Sequence, residues 1–353
     1  MSLIELSATN VRCLEHASLE LGGDLTLIWG ANGAGKTSLL EAIFLLGRGR
    51  SFRLRNTERL IRYGQAHMRV SGQVTRGGGA TSRLTFDVTP ERSWAHIGGR
   101  TAESFAALSR EFPVQVIDPG VHRLVEEGGY RRRRWLDWGV FHVEPSFVET
   151  WVRYNRALRQ RNVALKIAGA DAATWESELG RLGESIATSR GHFMAQLQPY
   201  WQDTVASLTG LPVELHYHRG WSQEHALVDA LSASRARDSL RQVTHVGPHR
   251  ADVAVRLHGR PAREVLSRGQ QKLVAAAMTV AQLRLLQAIT EITPTLLLDD
   301  PAAELDGERL QRFIELVAAL RSQLVVTSLH AESRLFGAPE RTFHVEHGRV
   351  QPV

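Results

Sequence analysis

Cysteine is almost absent from the 353-residue chain, where Cys13 is the only one. A single thiol excludes an intrachain disulfide and any cysteine-rich zinc or iron–sulfur site, and it points to a reducing cytoplasm. Lysine is scarce as well. Lys36, Lys166 and Lys272 are the only three, so nearly all the positive charge is arginine. Acids number 37 against 43 Lys+Arg, a formal charge of +6, which favours a polyanionic partner without naming it. Long apolar runs are also missing. None reaches the ~18 residues of a membrane span, and the first residues show neither a basic start nor a signal-length apolar segment. A soluble, cytoplasmic chain with no membrane partner is therefore expected. The sequence has no internal repeat and no low-complexity linker.

What is present is ordinary globular composition, 43% hydrophobic and 23% charged, enough for about two or three structural units. Short alternating segments at 4–8, 25–29, 68–74 and 83–88, separated by glycines that include Gly77-Gly78-Gly79, read as strands. One helical run, 36–46, interrupts them. From about 145 to 208 the period becomes helical. Phe147, Trp151, Tyr154 and Leu158, then Trp175, Leu179, Leu182 and Ile186 after the turn Ala168-Gly169-Ala170, outline a helical hairpin. Strand signals return at 213–218, 252–257, 295–299, 323–327 and 342–345, with helices expected at 270–287 and 308–321. The expected organisation is an α/β domain made from both ends of the chain and interrupted by a mostly helical insertion.

Gly30-Ala31-Asn32-Gly33-Ala34-Gly35-Lys36-Thr37 fits G-x-x-x-x-G-K-[ST] without exception. A bare glycine turn would need neither the strand before it nor the apolar helix after it, and both are there. Glycines let consecutive amides, through Ser38, face phosphate oxygens at a helix N-terminus. Lys36 would bridge the β- and γ-phosphates of a nucleoside triphosphate, and the Thr37 hydroxyl would join a Mg²⁺ shell. Far downstream, Leu296-Leu297-Leu298 runs into Asp299-Asp300. An apolar strand that delivers an acid at its C-terminal edge makes Asp299 the metal-ligand candidate. Asp300 is then the group that orients or deprotonates the attacking water.

Leu266-Ser267-Arg268-Gly269-Gln270-Gln271-Lys272 opens a long helix and resembles the signature of ABC-type ATPases. Physically it is a second anion-binding helix end, with Ser267, Gly269 and Gln270 as its donors. Lys36 already serves the γ-phosphate in its own copy, so this end implies a second subunit. In ABC-type ATPases the signature serine contacts nucleotide on the partner's phosphate loop. Ala303-Glu304-Leu305-Asp306 resembles their D-loop and adds Asp306, although Ala303 stands where serine is common. Beyond strand 323–327, where such ATPases place a γ-phosphate histidine, stand Ser328 and His330, and His330 reads as a surface histidine. A glutamine loop is expected near 116–120, and Gln115 falls slightly early.

Spacing narrows the class. Lys36 and Ser267 stand 231 residues apart, roughly twice the separation expected of a transporter ATPase subunit, which is the alternative function. The excess is helical, as in the SMC-like branch, but hairpin arms of about 20 to 35 residues are far short of a coiled-coil arm. Leu39-Leu40-Glu41-Ala42-Ile43, Gly49-Arg50-Ser51-Phe52-Arg53, Arg132-Arg133 with Leu136-Asp137-Trp138, Gly247-Pro248-His249-Arg250 and Ser267-Arg268-Gly269-Gln270-Gln271-Lys272 together resemble the RecF family of bacterial recombination mediators. That resemblance implies an ABC-type ATPase head over 1–125 and 241–353 with a helical lobe over 126–240. It also implies an ATP-dependent homodimer on DNA that hydrolyses ATP slowly and works with RecR, RecO and RecA.

Charge placement suggests where DNA would lie. Seven arginines and one acid, Glu58, fall between Arg48 and Arg69, and Arg50, Arg53 and Arg55 are the best candidates for sequence-independent phosphate contacts. A second run, Arg153, Arg156, Arg159, Arg161 and Lys166, reads equally well as a solvated helix face. Arg131 to Arg134 reads as a structural ion-pair cluster or a DNA contact. His245, His249 and His258 lack further ligands at zinc spacing.

Overall fold

The computed structural model describes residues 1–75, 79–167, 171–303 and 307–353. In chain order the strands are β1 (Ser2–Val11), β2 (Leu14–Glu20), β3 (Leu25–Trp29), β4 (Met68–Thr75), β5 (Thr81–Val88), β6 (Ser93–Ile97), β7 (Arg100–Thr101), β8 (Val114–Ile117), β9 (Val213–His218), β10 (Asp252–Leu257), β11 (Arg260–Pro261), β12 (Thr295–Leu298), β13 (Leu324–Ser328), β14 (Arg341–Glu346) and β15 (Arg349–Pro352). The helices are α1 (Lys36–Arg48), α2 (Phe105–Glu111), α3 (Arg123–Glu126), α4 (Gly129–Val143), α5 (Phe147–Ala164), α6 (Glu176–Thr209), α7 (Leu227–Arg241), α8 (Ala262–Val265), α9 (Arg268–Ile289) and α10 (Gly307–Ala318). They form two units, Met1–Val121 with Thr290–Val353, and His122–Ile289.

The first unit has two sheets. One is antiparallel, in the order β2-β1-β4-β5-β6-β7, and the other runs β15-β14-β3-β13-β12-β8 with only β15 antiparallel. Helix α1 touches both sheets, and every residue from 38 to 47 is buried. A helix apolar on nearly every side is stable only between two layers. Leu39, Leu40, Ile43, Leu45 and Leu46 are wholly buried, and each stabilises the unit by about 2 kcal/mol. Gly49 ends the helix at φ 59, with its N–H on the Leu45 carbonyl and the Phe105 ring where a Cβ would stand. In the parallel sheet Leu296, Leu297 and Leu298 are covered on both faces, which is why β12 reads as an unbroken apolar run.

The second unit is mostly helical, with the three-stranded sheet β11-β10-β9. Helices α5 and α6 pack together, and Phe147, Tyr154, Leu158, Leu179, Leu182 and Ile186 are buried. This unit extends beyond the expected 126–240. Strand β10 pairs with β9, and α9 lies along α6, so 241–289 joins the helical part and only 290–353 returns to the first unit. Helix α9 is long and apolar enough to cross a membrane, yet 72% of that stretch is buried inside the protein. The expected turn at 168–170, Gly77-Gly78 and the D-loop candidate Asp306 lie outside the described residues.

Candidate functional site

Strand β3 ends at Trp29, and the chain turns through three glycines with positive φ, Gly30 (154), Gly33 (79) and Gly35 (121), before α1 begins. A side chain at Gly30 would strike the Val345 carbonyl, so a neighbouring strand as well as the loop conformation demands glycine there. The turn between β14 and β15 backs the loop, with Gly348 N–H donating to the Ala34 carbonyl at 2.8 Å. Ala31, Asn32 and Gly33 face solvent, whereas Ala34, Gly35, Lys36 and Ser38 are buried. Lys36 Nζ donates to the carbonyls of Gly30 (2.7 Å) and Ala31 (3.0 Å). An ammonium has three protons, so one donor remains for a phosphate. Burial lowers the Lys36 pKa, and the charges of Asp300 and Asp299 oppose that shift.

Parallel pairing sets β13 between β3 and β12, so all three strands end on one edge. There the Thr37 hydroxyl donates to both Asp299 oxygens, at 2.9 and 3.1 Å. Thr327, at the end of β13, donates to Asp299 Oδ1 at 2.9 Å and accepts the Asp300 N–H at 2.9 Å. A hydroxyl and a carboxylate side by side are the hard oxygen donors that Mg²⁺ takes together with phosphate oxygens, so these residues fit the ion. Asp300 holds φ 51, an uncommon conformation for a non-glycine residue. Burial raises its pKa, Lys36 lowers it, Asp299 raises it further and His330 lowers it. A carboxyl moved toward neutrality is a better proton acceptor. His330 is exposed, as expected.

The second anion-binding end is in the other unit. Ser267 Oγ accepts the Gln270 N–H (3.3 Å), and Gln270 Oε1 accepts the Ser267 N–H (2.9 Å), a reciprocal cap on α9. The Ser267 hydroxyl accepts in this bond, which leaves its own proton for an anion. Ser267 and Gly269 are exposed, and Gln270 is half-buried.

Of the seven arginines between 48 and 69, Arg62 pairs with Glu15 and Arg69 with Asp87, each at 2.7 Å. Arg50 is half-buried, and Arg53 and Arg55 are exposed. The second basic run needs correcting. Arg161 is wholly buried, bonded to Asp238 (2.8 Å), Glu176 (3.0 Å) and Thr244 (2.8 Å), and Arg153 pairs with Glu178, so the helix face carries fewer free bases than the sequence suggests. Arg131 to Arg133 are all engaged within the protein. Arg132 grips Asp252 with two bonds of 2.8 and 2.9 Å, Arg133 bonds the Ala251 carbonyl, and Arg131 pairs with Glu127. Gln115 lies inside β8, paired with Leu296 and short of the strand edge where Asp299 stands.

Thr327 belongs to no motif. Its only signal was a polar residue at the end of an apolar strand, in Leu324-Val325-Val326-Thr327. Gly348, which supports the phosphate loop from more than 300 residues away, carries no sequence signal.

A phosphate loop on a parallel sheet, an acid pair on a nearby strand edge and an antiparallel sheet over α1 define an ATPase head of the type shared by ABC-type ATPases and SMC proteins. The family model for the RecF/RecN/SMC N terminal domain matches residues 2–349. The DNA replication and repair protein RecF of Pseudomonas paraeruginosa (strain DSM 24068 / PA7) is 39% identical over 359 residues, 99% of this chain and 97% of that protein. The solved recombination mediator protein RecF with ATP, of the RecFOR pathway, superimposes with a TM-score of 0.90 at 25% identity, covering 99% of this chain and 97% of that one. A second RecF structure in that pathway, RecF-ATPrS, gives 0.86 at 25% identity over 100% and 98% of the two chains. This chain belongs to the RecF family.

Proposed function

We propose that the chain is an ATP-switched, DNA-binding mediator of recombinational repair that works as a homodimer. ATP on the phosphate loop of one copy is capped by the Ser267 helix end of a second. The observation that carries this reading is that one chain holds both halves of a composite site: the loop with its acid pair, and a capped helix end whose serine retains a proton to donate. The full-length relatives and the ATP-bound neighbour support it.

In this reading the segment Gly30, Ala31, Asn32, Gly33, Ala34, Gly35 wraps the phosphates, helped by the amides of Lys36, Thr37 and Ser38. Lys36 neutralises the β- and γ-phosphates. Thr37 and Asp299 hold Mg²⁺, which when bound offsets charge on the phosphate oxygens. Asp300 accepts the proton of the water that attacks the γ-phosphorus, and ADP leaves with the β–γ bridging oxygen. Ser267, Gly269 and Gln270 donate to the partner's γ-phosphate, and Asp306 signals across the dimer. Arg50, Arg53 and Arg55 bind DNA phosphates without reading bases. Turnover is slow and stimulated by DNA. The DNA sites are gaps or single-strand/double-strand junctions in the cytoplasm, and RecR, with RecO, follows in loading RecA.

A transporter subunit would co-purify with a membrane partner and lack DNA affinity, and the separation of Lys36 from Ser267 does not suit it. Sedimentation with and without ATP and Mg²⁺ tests the composite site. A dimer only with both is the expected result, and a monomer under both conditions at micromolar concentration overturns it.

A further inference from the structure

Glu41 lies one turn along α1 from Thr37 and is wholly buried, yet phosphate binding does not use it. Its carboxylate gathers the segment that follows the helix. Ser51 donates to Oε1 at 2.5 Å, and Arg53 lies 4.0 Å from Oε2. The same Ser51 oxygen accepts the backbone N–H groups of Arg53 (3.0 Å) and Leu54 (2.9 Å). Arg12, in the turn between β1 and β2, pairs its Nε with Glu41 Oε2 and donates from Nη2 to Oε1 at 3.1 Å. A buried carboxylate is retained only where its partners satisfy it.

The turn that carries Arg12 reaches both sites. Arg12 stands at φ 52, and its N–H donates to the Leu60 carbonyl at 2.7 Å, while Arg62 N–H donates to Asn10 at 2.9 Å. The next residue, Cys13, puts Sγ 3.6 Å from Ser38 Oγ, and a Cβ at Gly35 would stand 3.1 Å from that sulfur. One short turn therefore touches the phosphate loop on one side and holds the far end of the arginine segment on the other.

We infer that Glu41, Arg12 and Ser51 are positioning residues that lock the arginine segment to the nucleotide-binding helix, so that ATP at the phosphate loop raises the affinity of Arg53 and Arg55 for DNA phosphate. The inference rests on the DNA-binding reading above. Nucleotide that settles Gly35 to Ser38 settles α1 and the 10–14 turn with it, and both hold the segment through the Glu41 carboxylate.

The test uses the whole chain, two positioning variants and, as the control on DNA binding, Arg53→Ala/Arg55→Ala. Glu41→Gln removes the charge, and Ser51→Ala frees the segment while leaving the Glu41–Arg12 pair intact, so it decides the matter if Glu41→Gln does not fold. Three quantities are read: affinity for a fluorescent ATP analogue, DNA affinity with and without ATP, and hydrogen exchange of the Arg53 and Leu54 amides with and without ATP. Nucleotide affinity should stay within about twofold, while the ATP-driven gain in DNA affinity falls about tenfold and the exchange response to ATP disappears. Retention of that gain and response in the variants overturns the inference, as does an equal loss of DNA affinity with and without ATP. If Arg53→Ala/Arg55→Ala binds DNA like the parent, the DNA reading fails, and the exchange response alone decides whether the segment follows the nucleotide.

Discussion

Thr37 donates its hydroxyl to both oxygens of Asp299, at 2.9 and 3.1 Å, across 262 positions of sequence. Thr327 braces the same carboxylate from the strand between them. The pair is thus held from two strands and the first turn of α1, so small changes there have large chemical effects.

Asp299→Asn keeps the side-chain shape and removes the charge. Steady-state ATP turnover should fall on the order of a hundredfold, the scale of one lost charge-stabilising group, and a Mg²⁺ titration should shift to higher concentration. Turnover like the parent's would remove Asp299 from the metal role.

Lys36→Ala should abolish nucleotide binding, measured by equilibrium dialysis, whereas Ser267→Ala should bind ATP and fail to dimerise. Because Ser267 also caps α9, its loss costs about 1 kcal/mol of stability. Ser267→Asp keeps a cap and adds a negative charge, so it should restore that stability and still not dimerise. Two variants with the Lys36→Ala phenotype would contradict the division of roles.

Asp300→Asn should trap the ATP-bound dimer, seen as a persistent heavy species in sedimentation. Burial raises the Asp300 pKa above the ordinary 3.8, so the acid limb of the turnover–pH profile should lie above that value and vanish in the variant. An acid limb unchanged in the variant would assign the proton to another group.

His249 accepts from or donates to Tyr154 at 2.8 Å through Nδ1, and its Nε2 lies 3.0 Å from the Thr244 carbonyl. A carbonyl only accepts, so Nε2 carries a proton, and because burial disfavours the charged ring, Nδ1 is left to accept the Tyr154 hydroxyl. Burial lowers its pKa from 6.5 to about 4. Between those values the unfolded chain binds a proton that the folded one refuses, so stability falls as pH drops through the window and the loss is complete below about 4. The size is about 3 kcal/mol at most. Urea unfolding between pH 7.5 and 4 should show this slope in the parent and lose it in His249→Gln.

Arg53→Ala/Arg55→Ala should weaken DNA binding equally for unrelated sequences and make the salt dependence shallower by about 1.8 in log–log slope, if both contact duplex phosphates. Titrations from low to moderate salt would measure it. An unchanged slope would move the DNA surface elsewhere.

Much of the chemistry was legible because it is local. Eight consecutive residues with glycines where the backbone needs positive φ, between a strand and an apolar helix, mark a phosphate loop, and a leucine run ending in two acids marks a covered parallel strand. The Ser267 cap likewise spans four residues. Ion-pair partners were less legible. Arg161 falls seven residues from Tyr154 and three from Leu158, on the apolar face of α5, opposite the exposed Arg159, but the spacing could not supply its partners, Glu176 and Asp238, which come from α6 and α7. The expected boundary at 240 failed to include α9, because its apolar surface packs along α6 rather than joining the strand that follows it.

The sequence by itself determined the phosphate loop, the acid pair, the signature helix end and the family, because each depends on residue types at short, fixed spacing that backbone geometry enforces. Tertiary structure alone decided that Thr327 braces Asp299, that Gly348 supports Ala34, and that Glu41 ties Arg12 to Ser51. These contacts depend on strand order and on which helix face is covered. Both arise from burying apolar surface over the whole chain, which no local spacing records.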